Sequence, residues 1–471
     1  MSANRLEGLY LQLPIWLQQA AVSANGWLVE RRRYSPPFDQ ILTEYEERDQ
    51  WEPPRLAAWR DRRLREFLTA ASILPFYRQW FGDHGVRVQD VRGLDDLHVL
   101  PVLTKAIVRD AQDRGTLTPT GATGPVRVAH TSGTTGSGLR FPVTEAAVRE
   151  QWAVWWRYRG WHGIRRGTWC AYFGGRSLVP LSQRTGPFWR ANYSSKQLMF
   201  SAYHLTAETA ADYVAELRRH KHPWIHGYPS VLALLASYLL ENGETLDYPV
   251  RWVTLGAENV LPLQSQLIRK AFGISARQHY GMAEGVANAS ECPAGRMHVD
   301  EDYAAVEFLP LQDNAAAVVG TNFTNLATPL IRYEVGDVAA LSNDRCSCGR
   351  GGRVVTMIDG RQEDYVVLPD GARVGRLDHV FKDMEHVREA QIVQRRMDSL
   401  LVRIVRGPGF QSVDEAHLRQ EFLCRLGHEI AIEFTYVDHL PRTSNGKVRF
   451  VISELAEGRI TAPSFGARRP H

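Results

Sequence analysis

The sequence predicts an α/β protein in two domains. Layered sheets and helices are expected over residues 1–359, and a small α+β domain over 360–471. Three observations carry this. A chain of 471 residues exceeds one compact domain. Between 168 and 340 short apolar runs alternate with helical patterns, the signature of α/β layers around a largely parallel sheet. Finally, Gly360-Arg361-Gln362-Glu363-Asp364 interrupts the apolar runs just before Tyr365-Val366-Val367-Leu368, marking a boundary.

Taken in order, residues 1–60 are rich in Trp, Arg and Glu and predict helices packed on a larger body. Residues 61–90 predict an amphipathic helix with Leu64, Phe67, Leu68 and Ala71 on one face. A further helix is expected from near Thr104. Val126-Arg127-Val128 and Arg140-Phe141-Pro142-Val143 read as paired strands. Residues 145–161 predict an aromatic helix whose Trp152, Trp155, Trp156 and Tyr158 serve core packing. Strands follow at 168–173, 224–226, 252–255 and 275–279, with helices near 207–220, 229–242 and 262–272. Parallel sheets bind ligands beyond the carboxyl ends of their strands. Gly256-Ala257-Glu258 and Tyr280-Gly281-Met282-Ala283-Glu284 are both expected there.

Composition excludes several classes of function. The apolar and charged fractions, 44% and 23%, are those of a globular protein, and a net charge of +4 argues against nucleic acid as a partner. Arg31-Arg32-Arg33 and Arg468-Arg469 read as solvated surface. The longest apolar run, Val231–Leu240, is about half of a bilayer span, so no membrane span is expected. No leader pattern opens the chain, and five unevenly spread cysteines form no disulfide framework, so a cytoplasmic protein is expected. Cys170 and Cys424 read as core.

Two stretches invite chemistry. Residues 131–138, Thr-Ser-Gly-Thr-Thr-Gly-Ser-Gly, sit at the tip of the hairpin between the two strands. Such a run offers N–H and hydroxyl donors without bulk and suits phosphate oxygens, although it lacks the Gly-Lys-Ser/Thr ending of the common nucleotide loop. Equally, it could be a linker. Pro441-Arg442-Thr443-Ser444-Asn445-Gly446-Lys447 places a lysine on a polar turn, which alone is an ordinary solvated lysine.

Taken in sequence, Thr131–Gly136, Tyr280–Glu284, Tyr333–Asp337, Gly360–Arg361 and Pro441–Lys447 resemble the signatures of the adenylate-forming enzymes: acyl-CoA synthetases, adenylation domains and luciferases. Leu74-Pro75-Phe76-Tyr77-Arg78 and Leu100-Pro101-Val102-Leu103-Thr104-Lys105 extend the resemblance toward the phenylacetate–CoA ligase branch, with its capsule-cluster and coenzyme F390 synthetase members. The resemblance covers residues 60–455 and implies ATP, Mg²⁺ and CoA as cofactors, a carboxylic acid as substrate, and a mobile small domain. By it, Thr131, Ser132, Gly133, Thr134, Thr135 and Gly136 hold the β- and γ-phosphates. Gly256, Ala257, Glu258, Tyr280, Gly281 and Met282 line the nucleotide site, with Tyr280 on adenine. Glu284 holds Mg²⁺, Asp337 accepts the ribose hydroxyls, and Arg361 lies on the ribose side. Lys447 is the catalytic lysine, and Glu363 is the hinge. Three positions depart from the family: Ala283 replaces a Thr or Ser, Glu363 an Asp, and the loop lacks its terminal Lys, with Arg140 nearby.

The resemblance implies acyl-adenylate formation followed by transfer to CoA. Alternatives are a carrier-protein thiol, a sugar amine or hydroxyl, or a phenolic cofactor as acceptor, in surface-polysaccharide or secondary metabolism. A catalytically weakened nucleotide-binding scaffold is an alternative of another class. The acid is expected beside Tyr172, Trp224, His226 and Tyr228, whose aromatic rings suit an aryl or mid-sized apolar acid. His226 could orient the carboxylate or be a satisfied core histidine. Cys292, His298, Cys346 and Cys348 could complete a structural zinc site, the alternative being a buried cysteine pair and a surface histidine.

Overall fold

A computed structural model describes residues 8–118, 126–130, 139–311 and 316–359, apart from 176, 177, 181, 207, 259 and 261, and, with short gaps, 366–455. Among the described residues, helices α1 (Ile15–Arg33), α2 (Phe38–Arg48), α3 (Pro53–Ala71), α4 (Pro75–Asp83) and α5 (Lys105–Asp113) precede the first strand. The single helix expected over 61–90 is thus two. Its apolar face is as expected, with Leu64, Phe67, Leu68 and Ala71 buried, but it begins at Pro53, where proline fits a first turn. It stops because Pro75 holds Leu74 extended, with ψ at 144°. Thr104 caps α5 by accepting the Ile107 N–H at 3.4 Å.

The hairpin forms as expected, β1 (Val126–His130) antiparallel to β2 (Arg140–Thr144), and α6 (Glu145–Trp161) follows it. Next come β3 (Cys170–Gly174), β4 (Trp189–Asn192), β5 (Gln197–Ser201), α7 (Ala210–His220), β6 (Trp224–Gly227), α8 (Pro229–Glu241), β7 (Trp252–Leu255), α9 (Pro262–Phe272) and β8 (Arg277–Gly281). Strands β5, β3, β6, β7 and β8 run parallel, in that spatial order, and bury Ile225, Leu232, Leu239, Val253 and Ile268 against the helices.

The second half of the sheet corrects the expectation of a largely parallel one. After β8 come β9 (Asn288–Glu291), β10 (Met297–Val299), β11 (Ala304–Pro310), β12 (Ala316–Asn322), β13 (Tyr333–Ser342) and β14 (Val354–Asp359). These pair antiparallel with short connections, giving the 12-stranded order β11-β12-β13-β14-β10-β9-β8-β7-β6-β3-β5-β4. Too few residues separate these strands to form the crossover helix that parallel pairing needs. The N-terminal helices pack on this half, burying Tyr45, Leu64, Phe67 and Tyr77 with Val306 and Tyr333.

A buried ionic cluster ties helices to sheet. Arg157 of α6 donates to Asp300 and Asp302, each at 2.7 Å, and Arg48 of α2 donates to Asp302 at 2.9 Å. Asp300 also accepts from Asn288 at 2.5 Å and Ser290 at 2.8 Å. Helix α6 runs antiparallel to the parallel strands: Gln151 donates to the Met282 carbonyl at 2.9 Å, beyond the end of β8, and Trp252, at the start of β7, donates to the His162 carbonyl at 2.6 Å.

The C-terminal part contains β15 (Val366–Val367) paired with β16 (Arg373–Val374), then β17 (Val387–Arg396), β18 (Ser399–Arg406), α10 (Ser412–Leu426), β19 (Ala431–Tyr436) and β20 (Val451–Ser453). Its sheet order is β19-β18-β17-β20, with Ile392, Val402, Leu418 and Phe422 in its core. The boundary expected at 360 lies outside the described residues. Two surface expectations change. Cys424 is exposed rather than core, because it lies on the face of α10 opposite Leu418 and Phe422. Arg33 is not merely solvated, since its guanidinium lies 3.9 Å from the Trp152 ring centre.

Candidate active site

Two of the stretches expected to meet a nucleotide lie at the carboxyl ends of β7 and β8. Gly256-Ala257-Glu258 follows β7, as expected. Gly256 is buried, and a Cβ there would stand 3.3 Å from His279 Cε1. Ala257 adopts φ +70°, a left-handed conformation that costs an L-residue energy and is kept only where surroundings enforce it. Tyr280 and Gly281, expected beyond a strand ending at 279, are instead the last two residues of β8. Only glycine fits at 281, where a Cβ would meet Asn288 Oδ1 at 2.5 Å. Met282, Ala283 and Glu284 form the turn that follows, and the Glu284 carbonyl accepts from Asn322 at 3.4 Å.

Two residues 57 positions apart meet here: the Tyr280 hydroxyl donates to Asp337 Oδ2 at 2.7 Å. Asp337 lies on β13 and is buried, while the Tyr280 ring remains partly accessible. This pair offers a flat aromatic face beside carboxylate acceptors, a set suited to a nucleoside. The half-buried Glu284 adds a hard oxygen donor of the kind Mg²⁺ takes. Thr131, Ser132, Gly133, Thr134, Thr135, Gly136, Arg361, Glu363 and Lys447 lie outside the described residues.

The aromatic cluster on the parallel strands is built by register. Tyr172, His226 and Thr254 stand side by side across β3, β6 and β7. The Tyr172 and His226 rings are 5.4 Å apart, and those of Trp224 and His226 are 6.1 Å apart. Thr254 Oγ1 accepts from Trp224 Nε1 at 2.7 Å and lies 2.8 Å from His226 Nδ1, so Trp224 is a bonded, buried wall. Tyr228 joins the same end, its N–H donating to the Phe173 carbonyl at 3.1 Å. Both readings of His226 keep support, since Nδ1 has a partner while the ring stays partly accessible.

The structure adds two residues to this cluster. His279 lies against Trp155 and Tyr158, at 5.3 and 5.4 Å between ring centres. Arg159, from the last turn of α6, lies against Trp224. Burial, then repulsion by Arg159, lowers His279 to about 3. Burial, then Arg159 and His279, lowers His226 likewise to about 3. Both imidazoles are therefore neutral near pH 7. Neither added residue carried a signal of its own, because a histidine beside a motif and an arginine at a helix end are both commonplace.

The four expected metal ligands do come together. Donor atoms of Cys292, His298, Cys346 and Cys348 all lie within 4.8 Å of one another. Cys292 Sγ is 3.7 Å from Cys346 Sγ, and Cys348 Sγ is 3.3 Å from His298 Nε2. Sulfurs bound to one tetrahedral zinc stand about 3.8 Å apart, given Zn–S near 2.3 Å. His298 Nδ1 lies 3.2 Å from the Gly352 carbonyl, which turns Nε2 toward the thiols. The antiparallel pairing of β10 with β9 and β14 brings the distant cysteines together.

Comparison with known proteins agrees with this fold. Residues 366–454 match the CapK C-terminal domain. Over 459 residues the chain is 25% identical to protein CapK of Staphylococcus aureus, covering 96% of this chain and all of that one. It is 26% identical over 408 residues to a phenylacetate-coenzyme A ligase of Thermus thermophilus, covering 82% and 86% of the two chains. Among solved structures, 2-hydroxyisobutyryl-CoA ligase with 2-HIB-AMP and CoA in the thioesterification state superposes with a TM-score of 0.56 at 20% identity, covering 87% and 92%. An open conformation of the same ligase gives 0.53 at 20% identity, covering 86% and 93%. Among the described residues, no helix is long and apolar enough to cross a membrane.

Proposed function

Starting from a chain that is a homologue of CapK and of the phenylacetate–CoA ligases, with the fold of the adenylate-forming acyl-CoA ligases, we propose that it is an ATP-dependent acid–CoA ligase. The observation that carries the reading is the contact of Tyr280 with Asp337 at the end of β8, one turn from Glu284. In the first step a carboxylate oxygen attacks the α-phosphorus of ATP. The bond to the bridging oxygen breaks, and pyrophosphate leaves. In the second, the CoA thiol, losing its proton, attacks the acyl carbon and AMP departs.

Residues Thr131–Gly136 hold the β- and γ-phosphates, and Asp337 takes the ribose hydroxyls. Glu284 holds Mg²⁺, which neutralises phosphate charge. Lys447 stabilises the charge gathering on the α-phosphate, as preorganised donors do elsewhere. Ala283 supplies no hydroxyl there, a deficit of about 1 to 3 kcal/mol. The small domain, divided from the large one near 360, carries Lys447 in and out. A structural zinc on Cys292, His298, Cys346 and Cys348 is part of the proposal. Four protein ligands leave it no open position for chemistry.

A second reading changes only the acceptor, to a carrier-protein thiol or a sugar. Its support is the alignment to protein CapK, which covers 96% of this chain, together with the resemblance to capsule-cluster members. Pyrophosphate release with ATP, Mg²⁺ and a panel of acids, with and without CoA, tests both. The ligase requires a CoA-stimulated response, whereas release indifferent to CoA moves the assignment to another acceptor. Lys447→Ala should lower adenylate formation at least about 100-fold while sparing CoA-dependent use of a supplied acyl-adenylate. Equal loss of both steps removes Lys447 from this role.

A further inference from the structure

The ligase reading leaves its acid unnamed, and a buried charge on α6 constrains it. Arg159 is 7% exposed. Its Cζ lies 4.8 Å from the Trp156 ring centre, 5.3 Å from Trp224 and 5.6 Å from Trp152. Among the described residues no carboxylate lies within ion-pair distance of its guanidinium, and no side-chain hydrogen bond reaches it. A guanidinium stays charged and presents five N–H donors in its plane. Indole faces attract a cation but offer no lone pair to those donors. Burial pulls the Arg159 pKa below its ordinary value, as expected of a charge without a counter-ion.

The position of this charge separates it from the reacting centre. Gln151 marks the level of Met282 on α6, and Arg159 comes eight residues later. At 1.5 Å per residue it lies roughly 12 Å deeper, away from the turn that carries Glu284. Trp224, against which it lies, opens β6, whereas the nucleotide signatures lie at the carboxyl ends of β7 and β8. Arg159 is therefore placed to meet the far end of a substrate, not the carboxylate being activated. Between the two ends stand Tyr172 and His226, partly accessible and apolar or neutral in character.

Resting on the ligase reading, we propose that the acid carries a second anionic group at its far end, and that Arg159 is the specificity-determining residue that pairs with it. A second carboxylate fits the planar fork through two parallel N–H···O bonds. An aromatic or extended apolar spacer suits contact with the Tyr172 and His226 rings. Such a ligand supplies the counter-charge that the protein itself omits.

The test is equilibrium binding without nucleotide, read by tryptophan fluorescence, since three indoles surround the guanidinium. The probes are 4-carboxyphenylacetate against 4-methylphenylacetate, and adipate against hexanoate. The doubly charged acid of at least one pair should bind wild type at least about 30-fold more tightly than its neutral-tailed partner. Arg159→Met should erase that preference, and Arg159→Lys should keep part of it. Equal binding within both pairs, failure of both diacids to bind, or an unchanged preference in the Met variant overturns the proposal. A merely structural arginine would lower the melting temperature of the Met variant without moving the preference. Should that variant fail to fold, the wild-type comparison and Arg159→Lys still decide. Binding through Arg159 with no pyrophosphate release counts against the ligase reading alone. Equal kcat/KM for charged and neutral-tailed acids counts against Arg159 alone.

Discussion

Arg157 and Arg159 stand two residues apart on α6, both buried, and the protein neutralises only one of them. Arg157 meets Asp300 and Asp302 at 2.7 Å and has Asp49 at 3.7 Å, leaving only its Nε without a hydrogen bond. Burial alone would lower its pKa, but those carboxylates outweigh burial and raise it. Arg159 meets indole rings instead, and its pKa falls. One arginine fastens a helix to the sheet. The other leaves a buried positive charge among Trp152, Trp156 and Trp224. Buried charge is costly unless paired, so where the partner is missing the structure is complete only with something added.

The largest effect that could break this contrast is on stability. Arg157→Met should leave Asp300 without a counter-charge and Asp302 with Arg48 alone, and cost about 3–5 kcal/mol in urea unfolding. A loss below 1 kcal/mol would show that the cluster is not what holds α6. Next comes the other closed site. Cys346→Ser should remove one equivalent of bound zinc per chain and about 2 kcal/mol, lowering the melting temperature by about 4–8 °C. Full metal content in that variant, read by elemental analysis, would remove Cys346 from the ligand set.

Arg159→Met should sit at the other extreme, shifting stability by no more than about 1 kcal/mol, because lost cation–π attraction is offset by relief of an unpaired buried charge. A loss as large as that of Arg157 would erase the distinction. The last contrast concerns pH. His226 and His279, both lowered to about 3, stay neutral in the fold while an unfolded histidine takes up its proton near 6.5. Between those values the unfolded state binds more protons, so each histidine removes up to about 1.4 kcal/mol of stability per unit as pH falls. Asp49, raised by burial to about 6, acts oppositely below that pH, since its folded form binds the proton first. Histidine C2 proton resonances give the direct check, and two of them should stay unshifted down to pH 4. If either titrates near 6.5, the cleft is wetter than the geometry implies.

Much of this was legible in the sequence. Hairpin β1–β2, helix α6 and helix α9 lie where periodicity placed them, because each side chain's local preference and its burial agree. The candidate site was legible where a motif is contiguous, since Tyr280–Glu284 does lie at the end of β8. It was not legible where function depends on a single residue of an ordinary pattern. Arg157 and Arg159 both read as polar interruptions in an aromatic helix, and only Asp300 and Asp302, some 145 residues away, tell them apart.

The sequence by itself determined the hairpin β1–β2, helix α6, the alternation of strands and helices from β6 to β8, the family resemblance and the four metal-ligand candidates, since composition and local spacing encode these. The tertiary structure alone decided that β9–β14 run antiparallel, that Tyr280 meets Asp337, and that the cysteines and His298 converge. It also decided that one of two neighbouring arginines is left unpaired among the described residues. The reason is physical: charge pairing and ligand geometry depend on distances through space between residues far apart in the chain, and those distances exist only once the sheet has set its register.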